Sequence, residues 1–280
     1  MHFVKYQGLG NDFVFVDERN VKFKDVSRAA QILCDRRFGV GADGLILIAP
    51  SATADARMRI INSDGSEAEM CGNASRCAPL FCKQLGLLNG DEMLLETLAG
   101  PIKTHVKDWE KGLVSVDMGA PRLTRGEIPM SGNPAERAVE VALTAVGQEW
   151  RGTAVSMGNP HFVIFVPNID LIDIAHVGPE IEKHAFFPKK TNVEFVQKLD
   201  NHTLRMRVWE RGAGITAACG TGSCATAVAA VLTGRTEETV RVILDGGELE
   251  IDWTGRAHVR MTGPAQKVFE GEFVQELRRK

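Results

Sequence analysis

Two periodicities alternate along the chain. The runs HFVKY, DFVFVD, LILI, RMRII, HFVIFV, NVEFV and LRMRVW have the length and the β-branched and aromatic content of buried strands, and VEVAL alternates with period two. Residues 26–36 (VSRAAQILCDR) and 171–187 (LIDIAHVGPEIEKHAFF) carry helical spacing instead, with Ser27 as the predicted cap of the first. Two more helical runs begin directly after a cysteine, one at Cys71-Gly72-Asn73 and one at Cys219-Gly220-Thr221-Gly222. Strand patterns recur at 92–106, 113–118, 138–144 and 149–156, with glycine–asparagine turns at 10–11 and 158–159 and a crossover at 121–134, where prolines and glycines cluster. Pro79 falls inside the first cysteine-led helix and predicts a bend in its second turn.

The pattern occurs twice. Cys219 follows Cys71 at an offset of 148, and the same offset carries Gly10-Asn11 onto Gly158-Asn159 and Arg59 onto Arg207. It also carries Asn62 onto Glu210, Gly72 onto Gly220, Ser75 onto Ser223 and Gly44 onto Asn192. Further on, VSVDMGAP at 114–121 resembles HVRMTGPA at 258–265 with the offset slipped to 144. An internal duplication follows. The fold class expected from it is α+β, with two pseudo-symmetric domains, each a curled, mostly antiparallel sheet around a central helix. The boundaries are placed at 1–120 plus 265–280 for the first domain and 121–264 for the second. The last sixteen residues find no counterpart in the second copy and are expected to return to the first domain.

Composition narrows the chemistry. A chain of 280 residues with a formal net charge of −3 and a pI near 6.2 gives no electrostatic reason to bind nucleic acid or an anionic membrane, so a small-molecule partner is expected. No apolar run is long enough to span a bilayer and the opening MHFVKYQGLG lacks the regions of a signal peptide, so the expected address is the cytoplasm, or the plastid stroma in a photosynthetic eukaryote. The six cysteines form no C-x-x-C, which favours reduced thiols; Cys34, Cys77, Cys82 and Cys224 read as small buried hydrophobes. Cys71 and Cys219 differ from these because each stands at a helix mouth. There the free N–H groups and the positive end of the macrodipole suit a carboxylate and favour thiolate over thiol. Two such thiols in two similar halves suggest a pseudo-symmetric site that addresses both faces of one carbon. Inverting an amino-acid α-carbon needs a base on one face and an acid on the other, and two thiols supply both without a cofactor.

The stretches GLGNDF, NSDGSEAEMCGN, SMGNPHFV, TNVEFV and ERGAGITAACGTG together resemble the diaminopimelate epimerase family, and the resemblance covers nearly the whole chain. It implies a cofactor-independent isomerase interconverting LL- and meso-2,6-diaminoheptanedioate on the lysine and peptidoglycan pathway, often as a homodimer. It implies further that Cys71 and Cys219 are the acid/base pair, with Gly72-Asn73 and Gly220-Thr221 holding the reacting carboxylate. Asn11, Asn62, Asn159, Asn192 and Arg211 match family positions that bind substrate, chiefly its distal end, and His161 and Glu210 match residues beside the catalytic centre. Alone, Arg211 reads as a solvated surface charge and His161 as a satisfied strand histidine; the motif context overturns both. Glu210 is a candidate acceptor for the reacting ammonium. Ala74 departs from the C-G-N-G that commonly opens the family's first helix, a methyl expected to crowd the substrate if the approach is tight, and Gly44 stands where some members carry a glutamine.

Three other readings compete. A proline racemase or hydroxyproline epimerase of the same fold would act on cyclic substrates and have less use for an arginine with four asparagines. A thiol redox or metal protein would use Cys71, Cys77, Cys219 and Cys224, whose C-x5-C and C-x4-C spacings suit zinc poorly. A catalytically silent aminodicarboxylate-binding protein would keep the distal pocket alone.

Overall fold

The computed structural model describes residues 1–274; of the stretch 265–280 assigned to the first domain, residues 275–280 lie outside the described residues. The chain separates into two compact units, Met1–Val116 with the chain from Thr262 onward, and Asp117–Met261.

Unit 1 contains β1 (His2–Gly8), β2 (Asn11–Asp17), α1 (Val26–Cys34), β3 (Gly44–Ala49), β4 (Ala56–Asn62), β5 (Glu67–Ala68) and α2 (Gly72–Gln84). It continues with β6 (Glu92–Thr97), β7 (Gly100–Asp108) and β8 (Leu113–Asp117), and its final strand is β18 (Gln266–Glu272). The strands pair in the order β18-β1-β2-β3-β4-β6-β7-β8, with β5 added to β4. Only β2–β3 and β4–β6 are parallel. Period-two alternation divides the sheet's residues between its two faces. Val4, Tyr6, Phe13, Phe15, Ile46 and Ile48 pack with Ala74, Cys77, Ala78 and Phe81 of α2. Phe3, Val14, Val16, Leu45 and Leu47 pack with Ala29, Ala30 and Leu33 of α1. Ten of the thirteen residues of α2 are buried, so this helix is enclosed nearly all round.

One local expectation changes. The cap of α1 is Asp25, not Ser27: Asp25 keeps extended backbone angles and its carboxylate accepts the Arg28 N–H at 2.9 Å, so the helix begins at Val26. Pro79 lies buried inside α2, which runs from Gly72 to Gln84, and brings no N–H to its ladder. The β1–β2 turn has Leu9 at φ +57° and Gly10 at φ +84°, both positive, the requirement of a two-residue type I′ hairpin.

Unit 2 contains β9 (Val141–Ala145), β10 (Gln148–Ser156), β11 (Pro160–Phe165), α3 (Ile174–Glu182), β12 (Asn192–Lys198), β13 (Thr203–Glu210) and β14 (Gly214–Thr216). Then come α4 (Gly220–Leu232), β15 (Thr239–Leu244) and β16 (Gly247–Asp252), and the unit ends at Met261 within β17 (Arg260–Pro264). Its order is β9-β10-β11-β12-β13-β15-β16 with β14 on β13, and again only two pairs, β11–β12 and β13–β15, are parallel. Eleven of the thirteen residues of α4 are buried, and the helix touches β10, β11, β12, β13, β15 and β16, so the sheet curls around it. On the opposite face Ile174, Val177 and Ile181 of α3 pack against Phe162, Ile164, Val193 and Phe195. The helix predicted over 171–187 is shorter, Ile174–Glu182, because Asp173 caps it and Ile169–Leu171 form a separate 3₁₀ turn.

The duplication is thus structural. α3 and α4 repeat α1 and α2 at the same offset of 148. Beyond α4 the register slips by one residue, since β6, β7 and β8 are repeated as β15, β16 and β17, and the offset of 144 read from VSVDMGAP and HVRMTGPA is corrected. The C-terminal stretch also has a counterpart after all. β18 pairs antiparallel with β1 just as β9 pairs antiparallel with β10. Sequence alignment misses this because β9 follows β8 through the long crossover while β18 follows β17 almost directly.

Candidate active site

Each cysteine-led helix is built alike. Cys71 is the N-cap of α2 at φ −145°, ψ 113°, and Cys219 is the N-cap of α4 at φ −132°, ψ 109°. In both, the serine four residues on returns to the cap carbonyl twice. Ser75 N–H and Oγ each donate to Cys71 O at 2.9 Å, and Ser223 N–H and Oγ donate to Cys219 O at 2.9 Å. That locks the cap residue and leaves the first N–H groups of the helix, which have no carbonyl four residues back, facing outward from the mouth.

In unit 1 the half-buried Cys71 has Asn11 beside it. The thiol donates toward Asn11 Oδ1 at 3.9 Å, and Asn73 Nδ2 donates to the same oxygen at 3.0 Å. Asn11 Nδ2 donates in turn to Asp43 Oδ2 at 2.7 Å. Asp43 is held by Arg36, at 2.8 Å, which also grips Asp12. Burial raises the Asp12 carboxyl, but Arg36 and Lys5 outweigh it and hold the group down at about 2. The structure therefore brings Cys71, Gly72, Asn73 and Asn11 together. Asn62 stands exposed at the end of β4 and donates to Ser66 Oγ at 2.9 Å.

In unit 2 the thiol is more enclosed. Cys219 is 5% exposed; its sulfur lies 3.6 Å from Thr221 Oγ1 and takes a hydrogen bond from the Gly222 N–H. Burial pushes the thiol well above its usual range, the Glu210 and Glu194 carboxylates add to this, and the Thr221 and Gly222 contacts only partly oppose it. The helix mouth alone favours thiolate, but here desolvation wins and Cys219 rests as the thiol. Burial likewise raises Glu210, whose carboxylate accepts from Thr216 Oγ1 and from the Cys219 thiol. His161 is fully buried, with Nδ1 2.6 Å from Glu194 Oε1 and Nε2 2.9 Å from Asn159 Oδ1. Asn192 and Arg211 form a separate brace: Asn192 donates to Pro160 O at 2.9 Å and accepts the Arg211 N–H at 2.8 Å. The exposed Arg211 guanidinium donates to Lys189 O at 3.1 Å. Both ends of the Asn192 amide are thus engaged inside the unit.

Ala74 does not crowd a helix mouth. Its side chain is fully buried in the apolar cluster with Ile46 and Phe13. At the equivalent place in unit 2 stands Gly222, where a Cβ would lie 2.7 Å from Glu194 Oε1 and 3.1 Å from Cys219 Sγ. Glu194 and Asp43 are the two functional-site residues that sequence reasoning passed over. The signal for Glu194 lies inside the repeat: at the offset of 148 it falls on Ile46 and His161 falls on Phe13, so an acid and an imidazole replace two core side chains.

The fold recurs in solved structures of low sequence identity. It matches a probable proline racemase from Agrobacterium radiobacter with a TM-score of 0.69 at 14% identity, covering 98% of this chain and 93% of that one. It also matches a phenazine biosynthesis protein of the PhzF family from Bacillus anthracis at 0.68 and 18% identity, over 98% and 99%. Sequence goes further than fold. The model of the diaminopimelate epimerase family matches residues 3–124 and 153–268. Diaminopimelate epimerases from Elusimicrobium minutum and Moorella thermoacetica are each 52% identical, over 98% of this chain and 99% of theirs. The chain belongs to the diaminopimelate epimerase family. Among the described residues no cluster suited to a metal ion occurs, and no helix is long and apolar enough to cross a membrane.

Proposed function

We propose that this chain interconverts LL- and meso-2,6-diaminoheptanedioate by a two-base reaction in which Cys71 and Cys219 are the acid/base pair. The observation that carries the reading is the repeated cap geometry: a cysteine at each of two helix mouths, at equivalent places of a duplicated fold, in a chain about half identical to diaminopimelate epimerases over its full length. One sulfur, as thiolate, removes the α-proton; the pair of electrons left on carbon is delocalised into the substrate carboxylate; the other sulfur, as thiol, gives its proton to the opposite face. Bond for bond the reaction balances with no cofactor, and the enzyme ends with its proton on the other sulfur.

The helix-mouth amides of Gly72-Asn73 and Gly220-Thr221 hold the carboxylate on which charge grows. Glu210, already hydrogen-bonded to the Cys219 thiol, accepts that proton when Cys219 must act as base, and burial, which raises its carboxyl, makes it the better acceptor. Asn11 and Asn159 flank the reacting end. Asn62, Asn192 and the Arg211 guanidinium serve the remote carboxylate and amine, and Asn192 also fixes the Arg211 backbone. The partner is a small molecule; a homodimer and a cytoplasmic address complete the reading.

The test is incubation with LL-diaminopimelate in deuterium oxide under reductant, following meso product and α-deuterium together. Meso product carrying solvent deuterium at the inverted centre supports the epimerase. Saturable binding with neither signal would replace it with a silent binding protein. The cyclic-substrate alternative has only the likeness of fold behind it, at 14% identity.

A further inference from the structure

Asn11 and Asn159 occupy the same place in the duplicated fold, yet their amides are turned in opposite senses. Asn11 gives its Nδ2 to Asp43 Oδ2 and shows its carbonyl oxygen to Cys71 and Asn73. A carboxylate has no proton to give, so Asp43 admits only that orientation. Asn159 is arranged the other way. Its carbonyl oxygen faces His161 Nε2, and its Nδ2 has no hydrogen-bond partner among the described residues. That orientation requires a proton on His161 Nε2. A separation of 2.6 Å between Nδ1 and Glu194 Oε1 requires a second proton between ring and carboxyl.

Glu194 is fully buried, and its other oxygen, Oε2, has no partner among the described residues. A buried acid in a strand of apolar neighbours is costly, and the duplicate shows that the fold is satisfied with isoleucine there. Its local use is the imidazole. The groups facing His161 are Glu194 from β12, Asn159 from the preceding turn, and the Glu210 carboxylate of β13, which interacts with it electrostatically.

We infer that Asp43 and Glu194 are positioning residues that fix the two equivalent asparagines in opposite amide orientations. Asp43 acts directly, holding the Asn11 carbonyl toward Cys71. Glu194 acts through His161, occupying the Asn159 carbonyl so that its NH₂ is kept as a donor for an anionic group of the ligand. Unit 1 thereby spends its asparagine on its own thiol, while unit 2 spends it on a ligand carboxylate. The inference rests on the proposed function for the ligand's identity, but the orientation can be read without turnover.

The experiment compares the full-length chain with Glu194→Gln and Glu194→Ile, using ¹⁵N shifts of the His161 ring, substrate Kd and KM, kcat and melting temperature. Glutamine can still donate to Nδ1, so Glu194→Gln should keep the Nε2–H tautomer and stay within about threefold of wild-type KM. Glu194→Ile leaves Nδ1 without a partner. It should change the ring shifts and weaken binding by about ten- to a hundredfold, the worth of a hydrogen bond to a charged group, with the melting temperature held or raised. Wild-type ring shifts and KM in Glu194→Ile would overturn the inference, as would an unprotonated Nε2 in the wild-type protein. If Glu194→Ile does not fold, the ring shifts of wild type and Glu194→Gln decide alone. A wild-type chain that binds diaminopimelate without epimerising it would sink the proposed reaction, yet the shifts and Kd would still judge the role of Glu194.

Discussion

Gly222→Ala is a one-methyl change whose outcome the duplicated partner makes precise. Unit 1 carries alanine at the equivalent position, Ala74, buried in the apolar cluster that holds Ile46 and Phe13. In unit 2 the same methyl would lie 2.7 Å from Glu194 Oε1, 3.1 Å from Cys219 Sγ and 3.3 Å from Cys219 Cβ. The carboxylate cannot simply retreat, because it is fully buried and pinned 2.6 Å from His161 Nδ1. Two terms then oppose each other in stability. Alanine gains about 1 kcal/mol over glycine inside a helix, and overpacking costs about 1–3 kcal/mol. The net loss is about 0–2 kcal/mol, a fall of a few degrees in melting temperature. Activity should suffer far more. Relief of the contact has to move either Cys219 or the His161–Glu194 pair, and a misplacement of about 1 Å is worth about a hundredfold in rate. Melting curves and α-deuterium exchange on the same preparation separate the two effects. A Gly222→Ala protein with wild-type kcat/KM would refute the reasoning, as would a loss that vanishes on cooling well below the melting transition.

Cys71→Ala and Cys219→Ala should each abolish racemisation of the centre, whereas Cys34→Ala and Cys82→Ala should leave it nearly intact; equal losses in all four, measured by meso formation, would make the cysteines structural. Asp43→Asn removes the one-way demand on the Asn11 amide and should lower kcat by about tenfold with little change in melting temperature, since Asp43 is an exposed residue; unchanged kcat would count against the Asn11 orientation. Stability should fall at alkaline pH. Burial pushes Cys34, Cys77 and Cys82 up to about 12 from an ordinary 9.0, so between these values the unfolded chain has lost protons that the folded chain keeps. The stabilisation is intact below pH 9 and declines above it by about 1.4 kcal/mol per pH unit for each such thiol. Urea titrations at pH 8, 10 and 11 should show a shallower decline in Cys77→Ala, and equal slopes would contradict the burial argument.

Most of the fold was legible because the chain states it twice. An offset of 148 taken from two cysteines alone locates α3 from α1 and α4 from α2, and the strands around each helix follow from alternation. The cysteines' place at the helix mouths was legible for the same reason. The parts that escaped depend on competition between neighbours rather than on pattern. Asp25 and Ser27 are both good caps, and only the chain's entry angle chooses Asp25. A helix mouth argues for a thiolate, but enclosure beside two carboxylates reverses that for Cys219. Glu194 sits in NVEFV, where a lone acid among apolar residues resembles a solvent-facing strand position; only its alignment with Ile46 reveals that it points toward the central helix.

The place of β18 bears on the order in which the protein can be made. Unit 2 is one continuous stretch, and its outermost strand, β9, leaves the ribosome ahead of every strand it must help to cover. Unit 1 has the reverse schedule. β1 is made before every other strand and β18, which pairs along its edge from His2 to Gln7, after them all. While the elements between them are made, β1 therefore presents unpaired backbone to the cell, the kind of edge that recruits stray strands. The nascent chain is thus open to misassembly at a strand it has already finished, and a message that stops before residue 266 leaves that edge open for good.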